Sequence, residues 1–291
     1  MRKRAGRVLA RFARVASLVV LAALGTITLM RFAPGYFTDM REIDGEYGNG
    51  ARAALEIQQA EQRSLVTLSK QLIGGWLHGN LGRSRQYDIP VTELMRSRAK
   101  VSGKILLSGF ANGWLLAFAV ALLLSARRTR GGEALIAGPM AVLLAIPIAA
   151  MATTCLIANI GGPVLVLTTL VGVRDFKAIY RLLRYTWGSP HLLYARSQGI
   201  RSSRITLVYL IPALRTELLA IAITSFVIAL SAIVPVEVIF DVPGLGQLAW
   251  SAAMNRDLPV LLGVTLVVAS CVGVASMISP EAGRMEATPC A

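Results

Sequence analysis

The side chains of this sequence that could do chemistry are few, and three of them are arginines that crowd residues 193–212. The segment reads LYARSQGIRSSRITLVYLIP and stands between long apolar blocks. Gly199 lies where one short helix would stop and another begin. Such a polar run is hard to explain in a mostly hydrophobic chain unless something docks on it. The pattern predicts a docking loop, and the alternative is a membrane-surface connector whose positive charge faces the cytosol.

No catalytic or metal-binding pattern occurs in the sequence. A G-x-x-x-x-G-K-[S/T] loop is missing, so the chain does not bind ATP by that device. His78 and His191 stand alone, and the three cysteines have neither disulfide nor metal spacing. Glu217 and Glu237 flank the apolar run 218–236, where an acid serves either a transport pathway or an ordinary interface. We therefore predict no catalytic, cofactor-binding or metal residue, and a chain that is not an enzyme.

Long apolar runs define the class of protein. Hydrophobic residues make up 55% of the chain, and about 20 apolar residues suffice to cross a ~30 Å hydrocarbon core. The sequence predicts an all-α, polytopic membrane helical bundle of about six transmembrane helices. The corresponding runs are residues 15–30, 105–126, 134–173 (two helices, broken at 159–163), 218–236 and 258–280.

The distribution of charge predicts the topology. The net charge is +14, and the basic residues cluster before the first span, after the second and after the fourth. If the spans alternate, these clusters fall on one side, as the positive-inside rule requires. We therefore predict a multi-pass protein of the cell (inner or cytoplasmic) membrane with its N-terminus in the cytoplasm, and no nucleic-acid partner.

The same reading divides the chain into segments. Residues 163–173 would make a short fourth span of only about 16 Å, and a polar helix is predicted within residues 51–77 of an outer-face insertion. The predicted segments are a basic N-terminus (1–14), a first transmembrane helix (15–30), the outer-face insertion (31–104), a core of about five helices (105–280) with a cytoplasmic loop at 174–212, and a C-terminal tail (281–291).

The docking loop carries a spacing that resembles a known family. Gly199 follows Ala195 by four residues, and Pro212 follows thirteen residues later. This resembles the cytoplasmic coupling loop, Glu-Ala-Ala-x3-Gly-x9-Ile-x-Leu-Pro, of ATP-binding-cassette (ABC) importer permeases, although Leu193 and Tyr194 replace its first two letters. The residues that the resemblance assigns to coupling are Tyr194, Ala195, Arg196, Gly199, Arg201, Arg204 and Pro212.

Two further segments resemble the oligopeptide/dipeptide branch of these permeases. GNLGRS at 79–84 followed by PV at 90–91 is similar to its "GDLGxS … PV" segment, and a glycine turn before a helix start is the alternative. Residues 237–260 are similar to its "ExxFxxPGLG … A…RDxPV" signature. Pro243 and the two glycines predict a tight re-entrant turn, which requires burial in protein or a cavity, and an extracellular hairpin is the alternative. The residues concerned are Gly79, Leu81, Gly82, Ser84, Pro90 and Val91 in the first segment, and Glu237, Phe240, Pro243, Gly244, Leu245, Gly246, Arg256, Asp257 and Pro259 in the second.

The resemblance implies a permease subunit of a binding-protein-dependent importer for peptides or similar small solutes. It implies as partners a second permease subunit in a heterodimer, two ATPase subunits that hold ATP and Mg²⁺, and an extracytoplasmic substrate-binding protein. Two alternatives stay open. One is a divergent permease kept as a non-transporting assembly or regulatory subunit, and the other is an integral-membrane enzyme acting on lipid or cell-wall intermediates.

Overall fold

The structure is a computed structural model that describes residues 2–32, 81–127 and 132–278. The predicted helix within 51–77, Gly79 and the tail 281–291 lie outside the described residues. Helices dominate the described part of the chain, and a five-residue π-helical stretch, Thr206–Leu210, precedes the eighth of them. The helices are α1 (Arg2–Phe32), α2 (Val91–Arg127), α3 (Gly132–Ala145), α4 (Ile148–Ile157), α5 (Pro163–Trp187), α6 (Pro190–Ser197), α7 (Ser202–Ile205), α8 (Ile211–Ile239), α9 (Leu245–Met254) and α10 (Leu258–Ile278).

Several of these helices are long and apolar enough to cross a membrane. Among the described residues there are four, with a fifth if the bent pair α3–α4 counts as one span. The prediction of an all-α polytopic membrane bundle is confirmed. The four spans are Phe12–Leu29, Val91–Ser125, Thr206–Ile239 and Leu258–Ile278.

With the bent pair counted as one span, the described residues have one span fewer than the predicted six, because α5 does not qualify as an apolar span. The apolar run predicted a helix limited to residues 163–173, but α5 continues to Trp187 and carries five charged side chains in its second half. Leu167, Ile179 and Leu183 are fully buried along one face, which explains why the helix continues past the apolar run. The charged residues, of which only Asp175 is buried, give the second half of α5 a composition unlike that of an ordinary membrane span.

The bend between α3 and α4 has its cause in the sequence. The axes of Gly138–Ala145 and Ile148–Ile157 differ by 94°, where a single helix was predicted. Pro147 adopts φ −57° and ψ 139° at the start of α4. A proline disfavours helical geometry in the residue before it, here Ile146. The break therefore falls directly at the proline.

The described residues divide into two compact units, which are considered separately. The first lies within residues Met1–Ala99 and Leu248–Gly273. Val91, Val260 and Leu262 are fully buried in it. A Cβ on Gly263 would lie 2.7 Å from the sulfur of Met95 and 3.1 Å from Cγ1 of Val91. The start of α2 therefore packs directly on the backbone of α10.

The second unit lies within residues Lys100–Gln247 and Val274–Ala291. In it, α5 packs on α8, α4 and α3. Close approach between α2 and α5 depends on glycine, because a Cβ on Gly109 would lie 2.6 Å from Cβ of Leu167 and one on Gly113 would lie 2.7 Å from the carbonyl oxygen of Thr168. Small residues four apart on one helix face permit such backbone contact.

Four of the described helices end in the same capping arrangement. Their first residue beyond the cap has positive φ: Asn159, Gly199, Asp241 and Arg256. In each case the amide of this residue and that of the following residue donate back into the last turn, as in Arg256 N–H to Ala253 O at 3.4 Å and Asp257 N–H to Ala252 O at 2.8 Å. This is the Schellman motif, which satisfies terminal carbonyls and turns the chain sharply. It fixes the directions in which the loops at the candidate site leave their helices.

Candidate functional site

The predicted docking loop folds as two short helices joined by a tight turn. Pro190 lies in the first turn of α6, where its missing N–H costs no helical hydrogen bond. At the other end Gly199 has φ +74°, and its N–H donates to Arg196 O at 2.9 Å while Ile200 N–H donates to Ala195 O at 3.4 Å. Apart from its two chain neighbours, no described residue has an atom within 4 Å of a Cβ placed on Gly199. The glycine is therefore required for its backbone angle and not for space.

The helix α6 has two different faces. Leu192 and Ala195 are buried in an apolar cluster that includes Leu183 of α5 and Leu214 of α8. Tyr194, in contrast, is 67% exposed and Leu193 is 43% exposed. A short helix anchored on one side that presents a tyrosine and a leucine on the other is suited to fit against a partner protein.

The arginines of the loop have different environments. Arg196 is half-buried, and its guanidinium carbon lies 4.6 Å from the ring centroid of Trp187, a cation–π contact that ties α6 to the end of α5. Arg201 and Arg204 are exposed. Pro212 is exposed in the first turn of α8. Since proline cannot donate a backbone hydrogen bond, the helix lacks one such bond at Pro212. The widened π-helical stretch Thr206–Leu210, shortly before it, accommodates this missing bond.

Glu237 is the centre of the signature segment in the second unit. Its side chain has no exposed surface. Oε1 accepts a hydrogen bond from the hydroxyl of Ser102 at 2.6 Å, and Oε2 accepts one from Gly246 N–H at 2.7 Å. The Ser102 oxygen in turn accepts from Leu245 N–H at 2.6 Å. One carboxylate and one hydroxyl thus cap the first amides of α9, where the helix dipole favours an acidic group.

The glycines of this segment are required by the position of Glu237. A Cβ on Gly244 would lie 2.2 Å from Oε2 of Glu237, and one on Gly246 would lie 2.7 Å from Cα of Val234. Both glycines are buried, whereas Pro243 is exposed. Phe240 packs against an apolar cluster with Ile233 and does not join the hydrogen bonds of Glu237.

In the first unit, a second buried pair joins the two other signature pieces. The Ser84 hydroxyl donates to Oδ2 of Asp257 at 2.5 Å, and Gln86 N–H donates to the same oxygen at 3.2 Å. Both Ser84 and Asp257 are buried. Residues separated by more than 170 positions in the sequence are thereby held together.

The loop that carries Ser84 is closed by its own backbone. Gly82 has φ +81°, Val91 N–H donates to Gly82 O at 3.1 Å, and Ser84 N–H donates to Ile89 O at 3.0 Å. A Cβ on Gly82 would make ordinary contact with Pro259 at 3.8 Å. Pro90 is exposed and Leu81 half-buried. Gly82, Ser84, Asp257 and Pro259 therefore form one cluster.

Two residues of these contacts were not predicted from the sequence. Ser102 is one serine among many inside a helix, and nothing about its spacing indicates a partner 135 positions away. Trp187 lies at the end of a helix that was predicted to stop earlier. Its contact with Arg196 depends on the turn between α5 and α6, and the spacing of nine residues alone does not indicate it.

Comparison with known proteins places the chain in a class. No family model matches it. It is 24% identical over 261 residues to the oligopeptide transport system permease protein OppB of Escherichia coli K12, covering 82% of this chain and 84% of that protein. It is also 32% identical over 107 residues to the metal-staphylopine import system permease protein CntB of Staphylococcus aureus NCTC 8325, covering 37% of this chain and 34% of that protein.

These matches confirm the resemblance drawn from the motifs: the chain is related to the permease components of ABC importers. The match to OppB extends over most of both proteins, whereas the chain spans about a third of the length of CntB. Together with the apolar helices, the relatives indicate a multi-pass membrane protein.

Proposed function

We propose that this chain is the transmembrane permease subunit of an ATP-driven, binding-protein-dependent importer for peptides or similar small solutes. The observation that carries the proposal is the two-faced helix α6. Its buried side joins α5 to α8, so a push on its exposed side is transmitted to both long helices. A pathway and a mechanical link are what an importer requires of a subunit that does not hydrolyse ATP itself.

The proposal assigns the remaining functions to partners. A second permease subunit completes the pathway, two ATPase subunits bind ATP and Mg²⁺ and close against α6, and an extracytoplasmic binding protein delivers the solute. The N-terminus and α6 lie in the cytoplasm, because the basic segments cluster with them. This chain then has no catalytic centre of its own, in keeping with relatives that are named as transport permeases.

Site-specific photocrosslinking tests the docking of α6. A photoreactive amino acid in place of Tyr194 is expected to crosslink to an ATPase subunit in native membranes, because this side chain is 67% exposed on the proposed docking face. The matched control is the same replacement at Tyr87, which is 38% exposed in the loop that carries Ser84. ATPase crosslinks from position 87 but not 194 would contradict the proposal, as would none from either.

A non-transporting assembly subunit is the second candidate, and the charged half of α5 favours it. Five charged side chains follow Val173 on α5, whereas the corresponding part of an ordinary membrane span is apolar. Such a subunit would still crosslink to the ATPase through position 194. Solute uptake that continues unchanged when the chain is deleted and its partners are kept would select this second candidate.

A further inference from the structure

The second unit contains a cavity between α5 and α8 that none of the motifs accounts for. It encloses about 520 Å³, within the range of about 300–1,000 Å³ that is usual for small-molecule sites. Its walls combine charged, hydroxyl and aliphatic side chains. They include Arg174, Asp175, Arg181, Glu217, Thr224 and Ser225.

The cavity walls carry both signs of charge. Arg174 and Arg181 stand seven residues apart on one face of α5 and are exposed. Arg174 interacts electrostatically with the neighbouring carboxylate of Asp175. Asp175 and Glu217 supply carboxylates on the two walls. Two cationic and two anionic groups therefore surround one space.

Asp175 has unused hydrogen-bonding capacity. The residue is 2% exposed, and its Oδ1 accepts a hydrogen bond from the hydroxyl of Ser225. Its other oxygen, Oδ2, has no hydrogen-bond partner among the described residues. A buried carboxylate oxygen without a donor is costly. A donor on a molecule in the cavity would remove that cost.

The position of the cavity along α8 favours a polar occupant over lipid chains. Ser225 lies fourteen residues before Ile239 on α8, which is about 21 Å along the helix axis. Asp175, which is hydrogen-bonded to Ser225, therefore lies beside the middle of the Thr206–Ile239 span, and Arg174 precedes it on α5. Charged side chains at such depth face a bundle interior or a water-filled cavity and not hydrocarbon.

We propose that this cavity is a binding site within the permease for a small zwitterionic solute. Arg174 and Arg181 hold its carboxylate, while Asp175 and Glu217 hold its ammonium group. The inference rests on the proposed function, because it gives the permease itself a solute contact on the pathway. The ammonium group supplies the donor that Asp175 Oδ2 lacks.

Cysteine protection in the assembled protein tests the site. With the native cysteines replaced by alanine, Ala178→Cys places a thiol on the cavity wall, and Leu219→Cys places one on α8 away from the lining residues. The rates of reaction with an anionic and a cationic methanethiosulfonate reagent are measured in native membranes. The probes are dialanine, which is zwitterionic, and N-acetyl-dialanine amide, which is neutral.

The expected result is that both reagents modify position 178 much faster than position 219. Dialanine slows the reaction at 178 severalfold and the neutral analogue does not. Adding Arg181→Glu abolishes the protection and shifts the ratio of anionic to cationic rates by about tenfold, since a two-unit charge change near the thiol alters the local potential.

Other results would overturn the inference. Equal protection by both probes, no protection by dialanine, or rates indifferent to Arg181→Glu would each do so. A thiol at 178 that reacts in the isolated chain but not in the assembled complex would show a partner helix in the cavity. Partners identified in the same sample keep the two claims apart: their presence with failed protection refutes only this site, and their absence refutes the proposed function.

Discussion

At the residue scale, two buried carboxylates hold signature segments by hydrogen bonds to the backbone. Glu237 accepts a hydrogen bond from Gly246 N–H, and Asp257 accepts one from Gln86 N–H. Each also accepts a hydrogen bond from a serine hydroxyl, Glu237 from Ser102 and Asp257 from Ser84. A carboxylate with such donors is stabilised where an isolated one would be expelled. These hydrogen bonds explain why the two signature positions carry acidic residues.

Replacing Glu237 by alanine is expected to lower stability strongly. The change leaves the Gly246 amide and the Ser102 hydroxyl without their acceptor, at a cost of about 2–4 kcal/mol. Glu237→Gln keeps one acceptor oxygen and is expected to cost about half as much. Thermal unfolding of the purified chain in detergent measures both. Equal midpoints for Glu237→Ala and the unsubstituted protein would contradict the network described here.

Gly244 provides a second residue-scale prediction. A methyl group there would lie 2.2 Å from Oε2 of Glu237, and Glu237 cannot move away because its oxygens are held from two sides. Gly244→Ala is therefore expected to destabilise by about 1–3 kcal/mol. The matched control is Gly103→Ala in α2, where a Cβ has no atom within 4 Å and helix propensity favours alanine by about 1 kcal/mol. Opposite shifts in the unfolding midpoint are expected, and equal shifts would refute the steric argument.

At the element scale, the left-handed residue that ends α6 determines how the docking face is presented. Its φ of +74° is accessible to glycine at little cost. Gly199→Val is expected to strain the turn by about 1–3 kcal/mol and to reduce ATPase co-purification per chain about fivefold or more. Gly199→Asn, which tolerates this geometry, serves as the control and should retain most of it. Equal ATPase recovery with valine would show that the turn does not position α6.

Some elements could be predicted from the sequence because their signals are local. The break at residues 159–163 contains asparagine, two glycines and proline, and α4 ends there with Asn159 in the left-handed region. The bend at Pro147 has the same kind of signal, although the proline lies inside one apolar run. The full length of α5 was not predictable from hydropathy, since its charged half is helical through packing on one buried face. Contacts such as Ser102 with Glu237 depend on tertiary structure and leave no mark on local sequence.

At the scale of the whole molecule, the chain combines apolar helices with a basic, partly exposed loop and a cavity of mixed charge. The first feature indicates a membrane protein, and the relatives indicate a transport permease. The loop and the cavity both lie in the second unit. Both are accounted for if partners drive the helices and a solute passes between charged walls.

The most direct test of the central claim is affinity purification of the tagged chain from native membranes in mild detergent, followed by mass spectrometry. The account predicts that a second permease and one or two ABC ATPases accompany it. A co-purified binding protein can then be screened for its ligand. A chain recovered alone, or with enzymes of a biosynthetic complex, would contradict the importer assignment.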